Sequence, residues 1–319
     1  SDLLGLAATT DRVVHVLDHN GKTLSQLPSL PSPPLFLDVE PIQSEDIDGV
    51  DVLINCIGGE VLLAWLRFPA EGSELSLNIQ QQWRDHRKQV TCGRFSLAAQ
   101  EGRCRFFTTI SRDCKSHVYI REGPSFVLAG SVESNAEFLS SCWVSDTTFV
   151  LASRGDYKLR YWTVNSTGAE KNLSQTLQVN LNATGDTIVS FAVLAMALSR
   201  DRKLLAICTD KSRIIVYETF GQTQLRNLYG SSCDEYDVPS LCFSHDRSFL
   251  YATSSVSAEA PRPDGGPLVA GQVAIFEVFS GQVVFQLRCH AKPVRCMALH
   301  PHMEAIMTGS FDKTVQYWT

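Results

Sequence analysis

One short pattern recurs along the whole chain and constrains the fold more than any other feature. It is an apolar run that ends on a large side chain, as in VQYWT at the end of the sequence and in LRYWT, IIVYE and VAIFE. The large residues are Leu17, Trp65, Tyr119, Trp162, Tyr217, Phe276 and Trp318. The gaps between them are 42 to 59 residues long. Seven copies at that period indicate a closed array of similar β units.

Each copy contains more than one short strand. The large residue is preceded by an apolar strand and a polar turn with an aspartate, as in AIMTGSFDKTV, and followed by a glycine turn and another strand, as in FSGQVVFQL. A further apolar strand, such as VRCMALHPH, comes ahead of these. No long amphipathic helix is evident. Four strands per unit predict an all-β, seven-bladed β-propeller of four-stranded antiparallel blades, formed as a single domain over residues 1–319.

The last unit carries the residues of a known repeat. It contains His290 before the first strand, Thr308 on the second, Asp312 in the following turn and Trp318 on the third, with Cys289 in the place of the usual glycine. In this pattern the unit resembles the WD repeat (WD40). The resemblance implies that the four side chains form a buried hydrogen-bond network that fixes a loop to its blade.

A second unit resembles the same repeat at the same spacing. It contains His86, Thr109, Asp113 and Tyr119, with Asp85 in the glycine position. We interpret these histidines and aspartates as structural. A catalytic His–Asp pair is the alternative, but no nucleophile stands at a matching spacing in the sequence. The other five units lack the histidine.

The two ends of the repeat array are incomplete in the sequence. In the resembled family the strands of a blade are labelled a to d from the axis outward. Residues 3–26 are predicted to form strands b, c and d of the first blade, and the last blade has only a, b and c. An open sheet edge leaves backbone groups unpaired. We therefore expect either that the parent protein extends beyond this chain or that a partner strand completes the sheet.

Charge and cysteine content limit the classes of partner and compartment. The formal net charge is −6 and the isoelectric point is about 5.8, which argues against a general binder of nucleic acid or of membrane surfaces. Ten cysteines are scattered in apolar runs without any CxxC pair. This indicates buried thiols in a reducing compartment, the cytoplasm or the nucleus.

The remaining motifs are not interpreted as functional sites. No signal peptide or membrane-spanning run is evident. The sequons at Asn165, Asn172 and Asn182 are interpreted as chance matches in a polar loop. The stretch CHAKPVRCMALHPH matches no standard zinc-ligand spacing and is expected to be a turn followed by a strand. No metal or cofactor is predicted.

The resemblance also implies where partners bind. In that family the d–a and b–c loops share one face, called here the top face. The residues predicted to bind partners there are Trp83, Arg84, Arg87, Lys88, Arg112, Lys115, Lys292, Arg295 and Phe311. Their charge suits an acidic or phosphorylated segment. A solvated rim of loops is the alternative.

Four further stretches are distinctive in composition. GSSCDEYDVPS (230–240) is an acidic d–a loop, and residues 255–271 form a Pro/Gly/Ala-rich insertion expected on the same face. PSLPSPP (28–34) is expected to be a rigid linker, with an SH3-type ligand as the alternative. SEDIDGVD (44–51) is expected to be a solvated a–b loop on the opposite face.

These observations together favour a non-catalytic interaction scaffold, a subunit of a larger protein assembly. Three alternatives remain open. The first is a ring or coat subunit that a partner strand completes. The second is a phosphate or nucleic-acid reader that uses the basic residues. The third is a propeller hydrolase with a central metal, although no P-loop, GxSxG or HExxH motif is present.

Overall fold

The predicted fold class is confirmed. The computed structural model describes residues 5–41, 48–68, 74–98, 102–167, 170–182, 184–255 and 271–319. Every regular element in these ranges is a β-strand, and they contain no helix that could cross a membrane. The strands form seven antiparallel sheets, the blades of a β-propeller. Backbone contacts divide the chain into two compact units, Ser1–Arg154 with Leu159–Gln178, and Gly155–Lys158 with Val179–Thr319.

Blades 1 to 4 belong to the first unit, apart from the margins of blade 4. Their strands are β1 (Gly5–Thr9), β2 (Val13–Leu17) and β3 (Thr23–Leu27) in blade 1; β4 (Pro34–Val39), β5 (Gly49–Cys56), β6 (Val61–Arg67) and β7 (Ser76–Trp83) in blade 2; β8 (Val90–Phe95), β9 (Phe106–Ser111), β10 (Lys115–Glu122) and β11 (Ser125–Glu133) in blade 3; and β12 (Phe138–Trp143), β13 (Thr148–Ser153), β14 (Lys158–Thr167) and β15 (Glu170–Asn180) in blade 4.

Blades 5 to 7 belong to the second unit. Their strands are β16 (Val193–Leu198), β17 (Leu204–Thr209), β18 (Arg213–Glu218) and β19 (Gln224–Tyr229) in blade 5; β20 (Leu241–Phe243), β21 (Phe249–Ser255), β22 (Gly271–Glu277) and β23 (Val283–His290) in blade 6; and β24 (Val294–Leu299), β25 (Ile306–Ser310) and β26 (Val315–Trp318) in blade 7.

Strand order follows the chain in every blade, with antiparallel pairing throughout. Blades 2 to 6 have four strands, whereas blades 1 and 7 have three among the described residues. Each predicted large residue lies on the predicted c strand, from Leu17 on β2 to Trp318 on β26. The single-domain boundary at residues 1–319 stays a prediction.

The core lies between the faces of neighbouring blades. In the first unit, buried side chains from adjacent blades join in clusters, for example Val16 with Leu62, Leu63 with Phe107, and Phe106 with Trp143. In the second unit, blades 5 and 6 share one cluster and blades 6 and 7 another. Truncation of one such buried aromatic residue to alanine costs about 3–5 kcal/mol.

The position of a strand in its blade explains its sequence pattern. Strands β5, β9 and β13 are buried at every residue and consist mainly of apolar or small polar residues. For β5 and β9 the reason is that neighbouring blades of the first unit cover both of their faces. The outer strand β11 includes exposed positions between buried ones. The pattern of polar and apolar residues along a strand therefore indicates how deeply that strand is buried in its blade.

The expectation that all the sequons lie in a polar loop is wrong. Asn165 lies on β14 and Asn172 on β15, and only Asn182 follows a strand. The hairpin is long, and Asn165 donates a hydrogen bond to Ser174 across it at 2.8 Å. Its polar composition reflects the exposure of an outer hairpin. Residues 256–270 of the predicted insertion and residues 44–47 of the predicted acidic a–b loop lie outside the described residues. The expectation of a solvated loop is wrong for residues 49–51, which begin the buried strand β5, where Asp51 is 2 % exposed.

Candidate functional site

The loop that leads into blade 3 is held by a buried histidine. His86 is 3 % exposed, and its Nε2 lies 2.8 Å from the Thr109 hydroxyl on β9. Its Nδ1 lies 3.1 Å from the Asp113 carboxylate in the b–c turn. Asp113 also accepts a hydrogen bond from the backbone N–H of Arg87 at 2.9 Å. The network therefore connects the d–a loop, strand β9 and the b–c turn.

The electrostatics of this network favour a neutral histidine. Burial, and then the neighbouring ring of His117, lower the pKa of His86 to about 4, although Asp113 acts in the opposite direction. The two histidine rings are 4.4 Å apart between centroids. Burial alone would raise the pKa of Asp113, but hydrogen bonds from Arg87 and His86 lower it below the ordinary value. The neutral imidazole donates from Nδ1 to Asp113 and accepts from Thr109 at Nε2.

Tyr119, the aromatic residue of the blade 3 network, has a hydrogen-bond partner that the sequence did not identify. The phenolic hydroxyl of Tyr119 donates to Asp85 at 2.8 Å. Asp85 occupies the position where the resembled repeat has glycine, so its carboxylate adds an anchor for the same loop. Burial, and then this carboxylate, raise the pKa of Tyr119 far above its ordinary value.

Blade 7 has a network of the same kind. His290 is 2 % exposed, with its Nε2 2.9 Å from the Thr308 hydroxyl and its Nδ1 2.9 Å from Asp312. Trp318 donates from Nε1 to the same hydroxyl at 3.1 Å. Asp312 accepts from the backbone N–H of Ala291 at 3.1 Å. The four residues that the sequence brought together by spacing are thus in mutual contact.

An aspartate in the b–c turn performs one shared task in three blades. Asp113 and Asp312 each accept a backbone N–H from the preceding d–a loop. Asp210 does the same in blade 5, where it accepts the N–H of Ala192 at 2.9 Å without any histidine. The repeated turn aspartate was the only sequence signal for this contact.

These networks place a hydroxyl, a histidine and a carboxylate in the order found in nucleophilic catalysis. The sequence had offered no nucleophile at a matching spacing. The hydroxyls of Thr109 and Thr308 are nevertheless unsuited to attack a substrate, because both residues are 0 % exposed and the second also accepts from Trp318. No group of three or more potential metal ligands occurs in the described part of the chain.

The predicted basic residues of blade 3 have acidic neighbours. Arg84 lies 3.7 Å from Glu60, Arg112 4.0 Å from Glu137, and Lys115 2.7 Å from Glu133, measured between nitrogen and oxygen. At least one member of each pair is largely exposed, so each pair contributes little to stability. They reduce the positive field that the sequence suggested.

The remaining predicted residues of the first unit divide by exposure. Arg87 and Lys88 are exposed beside His86. Trp83 is half-buried, and its ring contacts Phe107 and Tyr119 at centroid distances of 5.3 and 5.2 Å. The indole therefore contributes mainly to packing between blades 2 and 3.

The second unit contains the other three predicted residues. Lys292 is exposed in the d–a loop. The guanidinium of Arg295 lies over the ring of Phe311, 5.8 Å from its centroid, and burial lowers the pKa of Arg295. Phe311 is 58 % exposed. The predicted residues thus fall into two groups, one in each unit.

A cleft on the top face of the second unit adds residues that the sequence did not single out. It lies between the loop over 230–240 and the start of blade 7, and its cavity volume is about 70 Å³. Its walls include Tyr236, Val238, Arg295 and Phe311. Tyr236 is 85 % exposed and Val238 48 %. The sequence marked this loop only by its acidic residues.

Part of the chain matches a known protein family. The family model described as "WD domain, G-beta repeat" matches residues 281–319, which include the end of blade 6 and all of blade 7. These residues contain the complete His290 network. None of the curated proteins matches the chain in sequence.

Proposed function

Because the chain is a WD-repeat β-propeller protein, we propose that it acts as a non-catalytic protein–protein interaction scaffold within a multi-protein complex. Propellers of this family commonly hold partners, and a rigid framework with variable loops is suited to that task. The proposed contact surface is the top face, with its d–a and b–c loops. The partners are other proteins or their peptide segments.

The observation that carries this proposal is the exposure of the Phe311 ring on a fixed turn. The next residue, Asp312, is held by His290, by the N–H of Ala291 and by the Thr314 hydroxyl. The b–c turn is therefore fixed, yet the Phe311 ring is 58 % exposed. A partner that covers the ring gains apolar burial without a large cost in loop ordering.

The charges favour a protein partner over a polyanion. Three basic residues of the first unit, Arg84, Arg112 and Lys115, each lie beside a glutamate. A nucleic-acid surface needs cations that release counterions from phosphates, and carboxylates nearby oppose this. An exposed rim of alternating charge instead supports specific orientation of a protein partner.

The thiols support a reducing compartment. All ten cysteines are free, and six of them are buried. We therefore propose the cytoplasm or the nucleus as the site of action.

The decisive experiment compares two exposed phenylalanines. Tagged protein, expressed in its own cells, is captured as wild type, as Phe311→Ser and as Phe285→Ser, and co-purifying proteins are quantified by mass spectrometry. Phe285 is 57 % exposed on β23, outside the top-face loops, so it is a matched control for the loss of an apolar ring. We expect specific partners to be lost from the Phe311→Ser sample and retained with Phe285→Ser. An identical partner set in all three samples contradicts the proposal.

A parallel sample tests the predicted basic residues of the first unit. Arg84→Glu combined with Arg112→Glu reverses two exposed charges beside the His86 loop without touching its network. Loss of proteins from this sample supports a contact surface there. Loss of bound nucleic acid, with a steep dependence on salt, would favour the phosphate-reader alternative.

A further inference from the structure

The cleft of the second unit has two aromatic rings exposed at its rim. Tyr236 is 85 % exposed and Phe311 58 % exposed, and both line the same cleft. Val238, 48 % exposed, lies in the same loop as Tyr236, directly before the buried Pro239. Concentration of exposed aromatic side chains in a concave site is typical of contact surfaces for peptides.

The wall that carries Tyr236 is rigid. Asp234 Oδ1 accepts the backbone N–H of Tyr236 at 2.8 Å, and Asp237 Oδ2 accepts the N–H of Asp234 at 2.9 Å. Cys233 and Ser212 exchange two hydrogen bonds, one from the N–H of Cys233 to the Ser212 hydroxyl at 3.0 Å and one from the N–H of Ser212 to the Cys233 carbonyl at 3.2 Å. The loop is thus closed on itself and fastened to blade 5, so the backbone that carries Tyr236 is ordered before any partner arrives.

The two walls of the cleft differ in charge. The loop over 230–240 contains Asp234, Glu235 and Asp237 and no basic residue. The opposite wall carries Arg295, but its guanidinium already lies over Phe311 and is close enough to Asp237 for an electrostatic interaction. Asp234 and Glu235 are exposed beside Tyr236 in the same loop, so the Tyr236 side of the rim is negative.

We propose that this cleft binds an extended peptide segment of a partner through a lysine or arginine side chain, which lies against the ring of Tyr236 and beside the carboxylates of Asp234 and Glu235. The apolar neighbours of that side chain in the peptide cover Phe311 and Val238. A cation over an aromatic face and beside exposed carboxylates gains both contacts at once. This inference rests on the proposed scaffold function and specifies the chemistry of its partner.

The test starts from a random decapeptide library displayed on phage. The library is selected on the immobilised chain, and an enriched sequence is made as a fluorescein-labelled peptide for anisotropy titrations. We expect enriched peptides to share a lysine or arginine at one position. Binding is expected to fall at least tenfold in Tyr236→Ser and in the double variant Asp234→Asn with Glu235→Gln, and to weaken with added salt.

Controls match each change in chemistry. Phe285→Ser removes another exposed ring and Glu277→Gln an exposed carboxylate, both away from the cleft. Neither is expected to alter binding. Because Tyr236 is almost fully exposed, Tyr236→Ser is expected to keep the wild-type melting temperature.

Three outcomes overturn the proposal. One is a library selection without any enriched peptide. Another is enrichment of acidic sequences, or tighter binding of a phosphoserine version of the labelled peptide. The third is binding that the Tyr236 and Asp234/Glu235 variants leave intact. If the Phe311→Ser variant still loses cellular partners, any of these three outcomes refutes only the proposed basic peptide. If that variant retains its cellular partners, the scaffold function is refuted as well.

Discussion

The phenolic hydroxyl of Tyr119 donates to the Asp85 carboxylate at 2.8 Å, so a residue on the c strand of blade 3 is fastened to the loop that precedes that blade. Tyr119 is 0 % exposed, whereas Asp85 belongs to the exposed part of the loop. The pair therefore links the core to the top face. The WD repeat usually has glycine at the position of Asp85, and glycine has no side chain that could accept this hydrogen bond.

Tyr119→Phe is expected to lower the free energy of unfolding by about 1.5–3 kcal/mol, because a hydrogen bond to a charged acceptor is lost. Tyr317→Phe is the matched control. Its hydroxyl is buried without a hydrogen-bond partner among the described residues, so its removal is expected to be neutral or slightly stabilising. Urea unfolding monitored by tryptophan fluorescence compares the two. Equal effects of both substitutions would show that the bond to Asp85 contributes nothing.

Thr308→Val is expected to destabilise the protein by about 1–3 kcal/mol. The change keeps the shape of the side chain but leaves His290 Nε2 and Trp318 Nε1 without their shared partner. Thr23→Val on the exposed strand β3 is the control for the added methyl group. Thermal melts of the two variants provide the comparison. A melting temperature of Thr308→Val equal to that of Thr23→Val would contradict a stabilising role for the network.

Stability is expected to fall as the pH drops from about 6.5 toward about 4, in part because of His86. Its pKa in the folded state is lowered to about 4, so over this interval the unfolded chain binds a proton that the folded chain does not. The shift corresponds to up to about 3 kcal/mol. The loss occurs on the acid side, because protonation favours the unfolded state.

Urea unfolding at pH 7.5 and pH 5 measures this dependence in three proteins. The wild type and His302→Gln, in which an exposed histidine is replaced, are expected to lose similar amounts of stability between the two pH values. His86→Gln is expected to be less stable at pH 7.5 but to lose less on acidification. If all three lose equally, His86 does not carry the effect.

Arg121→Met is expected to be severely destabilising, by about 3–5 kcal/mol. Arg121 lies 2.7 Å from Glu40 and 2.9 Å from Asp51, and both carboxylates are 2 % exposed. Without this guanidinium the two buried acids lose their closest cation. Arg103 contacts the same acids from a half-exposed position, at 3.0 Å and 3.6 Å. Arg103→Met is therefore expected to cost clearly less in the same chemical denaturation, and a reversed order would refute this account.

Gly59→Ala is expected to destabilise blade 2 and to disturb the His86 loop. Gly59 has a φ of +94°, and an added Cβ would lie 2.6 Å from the His86 carbonyl oxygen. Gly102 has a similar φ of +86° with no atom within 4 Å of such a Cβ. Gly102→Ala thus reports the backbone strain alone, about 1 kcal/mol. The difference in melting temperature between the two variants measures the contact, and equal values would show that the loop adjusts freely.

The local sequence pattern was sufficient to predict the blades and the His290 network. The polar and apolar pattern of a strand depends on whether neighbouring blades cover it, and each pattern lies within one strand of three to eleven residues. The c-strand positions from Leu17 to Trp318 could therefore be predicted from the sequence. His290, Thr308, Asp312 and Trp318 were also readable, because they belong to one repeat whose spacing is set by its own hairpins.

Only the tertiary structure decided which side chains meet across repeats and loops. The acidic neighbours of Arg84, Arg112 and Lys115 come from strands or loops 18 to 25 residues away, and no short pattern marks them. The cleft combines Tyr236 with Phe311, 75 residues apart, because blades 6 and 7 pack side by side. The sequence by itself determined the repeat, since that is written in each blade. The proposed contact surface depends on chain segments brought together by packing, and its shape and charge emerge only from the fold.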